Sequence, residues 1–187
     1  MDRKIVSFEA LPKLALAIKE QGKQLVTTNG CFDLLHLGHI QYLAEAKALG
    51  DILLVGINND ASVKRLKGPK RPIHCEGVRA RQVAALECVD YVVIFEQDTP
   101  EEFLRLVRPM FHVKGGDYRV EDLPERQVVE EGGGEVRVVS LIPGFSTTAL
   151  LLKLLADEET RPQGQVEQID LGAEGQRQLD LGSEKGM

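Results

Sequence analysis

Two rhythms of apolar positions alternate along the chain. Short continuous runs read as strands: Leu25 to Thr28 in "KQLVTTNGCF", then "DILLVGIN", "DYVVIFE", "MFHVKGGD" and "EVRVVSL". The run in "DILLVGIN", continuous and apolar, marks a strand buried on both faces, and Leu25 to Thr28 are apolar or β-branched. Between them, apolar residues recur at helical spacing. In "HIQYLAEAKALG" the positions Ile40, Leu43, Ala44 and Lys47 share a face, and Gly50 stands where a helix stops. "VRARQVAALECV", "TPEEFLRLVRP", "LPERQVVEEGGG" and "STTALLLKLLADEE" read the same way, and "FEALPKLALAIKE" (8–20) is a short leading helix. The caps agree. Thr99 is placed as an N-cap with Pro100 first and Glu102 closing a capping box, and Ser146 or Thr147 caps the last helix. Polar, Pro/Gly-punctuated "NDASVKRLKGPKRPIHCEG" reads as one long loop.

Strand and helix thus alternate five times. That order predicts an α/β fold: a Rossmann-like, doubly wound, five-stranded parallel sheet in an α/β/α sandwich. Ligands of such sheets bind outside the carboxyl ends of the strands, at the topological switch point. The polar and glycine-rich segments 29–39, 58–71, 114–118 and 143–148 all follow strands, so one shared site is expected.

Composition changes the picture at three places. The 187 residues are 43% hydrophobic, enough for one domain with a core. No apolar run approaches the ~20 residues of a membrane span, and the N-terminus does not read as a signal peptide. Net charge is −6, which argues against nucleic acid as a partner. Residues 157–187 carry −5 of that charge, are nearly free of aromatics and repeat the phrase "DLG". They read as a disordered acidic tail behind a folded domain, 1–156. Within the near-neutral domain, "KRLKGPKR" (Lys64 to Arg71) concentrates five cations with no acid. Cys31, Cys75 and Cys88 are odd in number and widely spaced, which points to a reducing cytoplasm rather than a disulfide framework.

The chemistry gathers in "TTNGCFDLLHLGHIQYL" (27–43). Its histidines admit three readings. Cys31, His36 and His39 could hold a metal, although no strong zinc spacing is present. The stretch could be an ordinary strand-to-helix turn. Or it could cradle phosphate: Gly30 and Gly38 permit close backbone approach, and His39 opens a helix whose free N–H groups favour an anion. Neither the P-loop nor the dinucleotide fingerprint occurs.

"TNGCFDLLHLGH", with His36-Leu37-Gly38-His39, resembles the signature of the His-x-Gly-His nucleotidylyltransferases. "GFSTT" (Gly144 to Thr148) is similar to their second signature. "NNDASVKRLKGPKRPI" and "VKGGDY" most resemble the D-glycero-D-manno-heptose 1-phosphate adenylyltransferases, often the C-terminal half of a bifunctional heptose kinase/adenylyltransferase. The likeness covers about residues 20–155. It implies AMP transfer from ATP to a sugar phosphate, with Mg²⁺ accompanying the ATP and no metal held by protein side chains. It implies His36, His39, Lys67 and Arg79 as catalytic residues. It places Asn29, Gly30, Cys31, Phe32, Gly38, Lys64, Gly116, Asp117, Ser146, Thr147 and Thr148 around the nucleotide phosphates. Asp33, Lys114 and Gly115 fall toward the substrate. A homodimer is also implied. The alternatives are a cytidylyltransferase acting on glycerol 3-phosphate or a related polyol phosphate, and a non-catalytic nucleotide-binding module. "ECVDY" lacks the arginine of the glycerol-phosphate enzymes, which weakens that option. A stand-alone enzyme without a kinase half is the expectation.

Overall fold

The computed structural model describes residues 2–116 and 118–139. The expected last helix (146–159), Ser146 to Thr148, Asp117 and the acidic tail lie outside the described residues.

Among the described residues, six strands form one all-parallel sheet: β1 (Ile5–Val6), β2 (Leu25–Gly30), β3 (Ile52–Asn58), β4 (Tyr91–Phe95), β5 (Phe111–Gly115) and β6 (Glu135–Val139). Their order is β1-β4-β3-β2-β5-β6. The sheet therefore exceeds the five strands expected. The additional member, β1, is two residues pairing Ile5 with Val92 and Val6 with Val93. A pair of residues shows no period of its own, so only docking on β4 makes it a strand.

Both faces are covered, as the continuous apolar runs require. One core joins Val26, Leu53, Val55, Ile57, Val92 and Val113 to Tyr42, Leu43 and Ala46 of α2 (Leu37–Lys47) and Ala80, Val83 and Ala84 of α4 (Glu76–Ala84). The other joins Leu25, Leu54, Val93 and Val136 to α1 (Leu11–Glu20), α5 (Glu101–Val107) and α6 (Arg126–Glu131). Successive strand residues such as Leu53 and Leu54 feed opposite cores, which is why neither can be polar.

The chain adds β3 and β4 on one side of β2, then crosses back to lay β5 and β6 on the other. The reversal opens a crevice between the carboxyl ends of β2 and β5, where Asn29 and Gly30 face Lys114 and Gly115.

Two local expectations are corrected. The loop after β3 contains a helix, α3 (Asp60–Lys67). Asn59 caps it by accepting from the Ser62 amide at 2.8 Å, Val63 anchors it in the interior, and Gly68 at φ +96 ends it. The segment is short and strongly polar, so it reads as loop, although the helix it forms is amphipathic and buries Ser62 and Val63. At α5, Pro100 rather than Thr99 occupies the N-cap position.

Candidate active site

The β2 end supplies the first wall. Phe32 takes a left-handed backbone conformation (φ +46), uncommon for a residue with a side chain. Its ring is 4% exposed and folds back on Gly30, where an added Cβ would lie 3.1 Å from it. Gly30 is thus needed to admit the Phe32 ring, whereas the sequence pointed to close approach of a ligand. The ring also meets His39, at 5.3 Å between centroids.

His36 sits in the N-cap position of α2 with extended backbone, and its carbonyl accepts from the amides of His39 (2.9 Å) and Ile40 (3.2 Å). Gly38 is buried in the first turn. Residues 36 and 39 are one turn apart, so their rings meet. They stack at 3.8 Å between centroids, 23° from parallel. Both Nδ1 atoms are buried with no hydrogen-bond partner among the described residues. Burial lowers the His36 pKa; burial and then the neighbouring His36 push His39 down to about 4. The protein alone therefore keeps the pair neutral at pH 7, and an arriving anion would draw a proton onto it.

The segment after β3 supplies the second wall, tied to the first by two buried groups. The Asp33 carboxylate, 2% exposed, accepts from Arg71 Nε at 2.6 Å and from the amides of Ile73 (2.7 Å) and His74 (3.0 Å). Burial alone would raise its pKa, but those amides and the guanidinium outweigh burial and lower it. Asp33 thus fastens residues 71–74 against the β2 loop. Arg79, fully buried, donates to the carbonyls of His74 (2.9 Å), Cys31 (2.5 Å) and Asn58 (2.8 Å) and pairs with Asp60 at 2.8 Å. The expectation placed Arg79 on a phosphate. The structure instead engages four of its five N–H groups with protein, so Arg79 joins the strand ends.

Of the five clustered cations, Arg71 is held by Asp33, and Arg65 by Asp98 at 2.7 Å. Lys64, Lys67 and Lys70 are exposed and form no ion pair among the described residues. Burial raises the Cys31 thiol pKa, opposed by the positive charges of Lys67, Arg79 and Arg71. Cys31 is thus a half-buried thiol in a positive surround. Among the described residues no group of three His, Cys, Asp or Glu could hold a metal ion.

The β5 end forms the third wall. Lys114 pairs with Glu125 at 2.5 Å and donates to Asn29 Oδ1 at 3.3 Å, so its charge is balanced by protein. Gly116 (φ +138) turns the chain away and lies against the Tyr118 ring, where a Cβ would come within 2.7 Å. Three residues here went unseen in the sequence. Fully buried His112 shares a 2.9 Å hydrogen bond with Thr27, Tyr42 donates to the Val113 carbonyl at 2.7 Å, and Glu125 is buried against Lys114. Glu125 lies among surface-type acids in "LPERQVVEE", and only burial distinguishes it.

These walls bring together Asn29, Gly30, Cys31, Phe32, His36, Gly38, His39, Lys114 and Gly115, with the Lys64–Arg71 segment beside them. The sequence model of the cytidylyltransferase-like family matches residues 27–162, from the first of these walls onward. The chain belongs to the cytidylyltransferase-like family. The bifunctional protein HldE of Geobacter sulfurreducens is 48% identical over 82% of this chain and 31% of its own length. Its counterpart in Pelobacter propionicus is 51% identical over 82% of this chain and 32% of its own. The chain thus spans about a third of the length of these curated relatives. A solved structure, the lipopolysaccharide core biosynthesis protein from Thermoplasma volcanium, shares 30% identity and a TM-score of 0.55. It covers 65% of this chain and 98% of its own.

Proposed function

We propose that this chain is an adenylyltransferase that transfers AMP from ATP to D-glycero-D-manno-heptose 1-phosphate, giving ADP-heptose and pyrophosphate for lipopolysaccharide core or a related surface glycan. The observation that carries the chemistry is the stacked His36/His39 pair at the start of α2, with its buried, unpartnered Nδ1 atoms. The substrate rests on the likeness of residues 58–73 and 113–118 to the heptose enzymes and on about 50% identity to HldE proteins.

An oxygen of the sugar phosphate attacks the α-phosphorus of ATP. A new P–O bond forms, the α–β bridging bond breaks, and pyrophosphate leaves with the electron pair. The phosphate monoester is already ionised near neutral pH, so no general base is required. The protein's task is to align two polyanions and stabilise charge on the transferring group and leaving group. His36 and His39 hydrogen-bond the phosphate oxygens, and Lys67 with Lys64 neutralises them. Asn29, Gly38 and the first-turn amides of α2 line the same space. Ser146, Thr147 and Thr148 are proposed for the β- and γ-phosphates, and Gly116 and Asp117 for the nucleotide pocket.

Mg²⁺ is proposed to arrive with ATP and to supply charge neutralisation at the phosphates. The residues fit an ion held chiefly by phosphate and water, since Asp33, the nearest carboxylate to the histidines in sequence, is already held by Arg71 and two amides. Among the described residues no helix is long and apolar enough to cross a membrane. The proposed setting is the cytoplasm, in keeping with free Cys31, Cys75 and Cys88, with a homodimer as the proposed assembly.

The deciding experiment measures pyrophosphate release with ATP or CTP against heptose 1-phosphate, glycerol 3-phosphate and phosphopantetheine. Turnover with ATP and heptose 1-phosphate is the expected result. Turnover only with CTP and glycerol 3-phosphate overturns the proposal in favour of a cytidylyltransferase. ATP binding with no turnover of any acceptor makes the chain a nucleotide-binding module.

A further inference from the structure

We infer that Glu125 is a positioning residue for nucleotide binding: through Lys114 it fixes the Asn29 amide so that Asn29 presents only N–H donors to the switch-point crevice. The inference rests on the proposed use of ATP. Glu125 precedes α6, away from every signature motif, yet it is 1% exposed. A carboxylate so placed needs a partner, and Lys114 Nζ meets it at 2.5 Å. The same ammonium reaches across from β5 to Asn29 Oδ1 on β2 at 3.3 Å.

Chemistry sets the direction of that contact. An ammonium can only donate, so the Asn29 atom it touches is the amide oxygen. The Nδ2 group is then the remaining end, and it has no hydrogen-bond partner among the described residues. Two N–H donors beside Gly30 suit an anionic or acceptor-rich ligand. Without Lys114 the amide could rotate and offer its carbonyl to the phosphates, a repulsive contact. Without Glu125 the Lys114 ammonium would lose the group that holds it over Asn29. His112 closes the arrangement from below: Thr27 holds its Nδ1 side, and its Nε2 faces Glu125 Oε1 at 3.8 Å.

The test is calorimetric titration of the full chain with Mg-ATP, comparing wild type, E125Q, K114M, N29A and the double variants E125Q/N29A and K114M/N29A. Each single substitution is expected to weaken ATP binding by about tenfold, the scale of one charge-assisted hydrogen bond. Each double variant is expected to bind no more weakly than N29A alone, because Glu125 and Lys114 act through Asn29. If E125Q weakens binding as much in the N29A background as in wild type, Glu125 acts otherwise and the inference fails. If E125Q does not fold, the Lys114/Asn29 cycle decides in the same way. Wild-type ATP affinity retained by E125Q overturns this inference alone. A wild-type chain that binds no ATP overturns the proposed function, and this inference with it.

Discussion

After β2, the His36 and His39 rings hold buried Nδ1 atoms with no partner among the described residues; nearby, the buried groups that tie the β2 loop to the segment after β3 are engaged by protein. His36 and His39 stack with both Nδ1 atoms unpartnered. Asp33, Arg71 and Arg79, by contrast, make seven hydrogen bonds with protein atoms between 2.5 and 3.0 Å. An unpaired buried polar group costs stability, whereas a satisfied one holds a loop in place. The difference separates two arrangements along one sheet edge: histidine atoms with no partner among the described residues, and arginine–aspartate pairs that hold the wall around them.

The comparison can be broken by substitution. The largest expected effect is on stability. Arg79→Ala should lower the unfolding free energy by about 3–5 kcal/mol, because it leaves Asp60 unpaired and three carbonyls unmet. Urea denaturation checks this; a change under 1 kcal/mol would make Arg79 a ligand-facing residue after all. Next, His39→Ala should cut kcat on the order of 10²-fold through loss of a transition-state donor, with stability held or improved. Pyrophosphate-release kinetics with parallel denaturation curves tests that split, and near-normal turnover would refute the phosphate role. Lys67→Ala should raise KM for ATP by about tenfold with unchanged unfolding, since its ammonium pairs with no group among the described residues.

The smallest effect is a difference in pH windows. His39 has a folded pKa of about 4, below its unfolded value near 6.5. Its contribution is therefore full above about pH 6.5 and is lost as pH falls toward 4, where the unfolded chain takes up protons that the native pair refuses. Asp33 is also depressed, from a carboxylate value of 3.8. Its contribution is full above that value and is lost only as pH falls below it. Stability measured from pH 7 to 3 should decline in two stages. His39→Gln should flatten the first stage, and Asp33→Asn the second. A single decline shared by both variants would show the two regions to be one coupled network.

Much of the frame was legible in advance. Parallel strands buried on both faces demand continuous apolar runs, and β3 and β4 carry them, while the edge strand β6 alternates exposed and buried residues at its start. Two histidines around a glycine at a strand–helix join are hard to account for otherwise. What escaped has physical reasons. The strand β1 is too short to show a period. Helix α3 is short and so rich in charge that its amphipathic pattern is easily taken for a polar loop, and its Asn59 cap and buried Ser62 and Val63 show only in the fold. The expected phosphate role of Arg79 failed on burial, which no one-dimensional reading gives: an exposed arginine and one with four donors engaged look identical as letters.

The sequence by itself determined the order of strands and helices along the chain, the burial of the central strands on both faces and the polar strand ends, because these depend on residue type and local spacing. The tertiary structure decided which of those polar groups are available. Asp33 pairs with Arg71 across 38 residues, Arg79 reaches Cys31 across 48, and Lys114 reaches Asn29 across 85. Such partners are set by where the doubly wound sheet brings its strand ends, and charge availability follows from those partners rather than from composition.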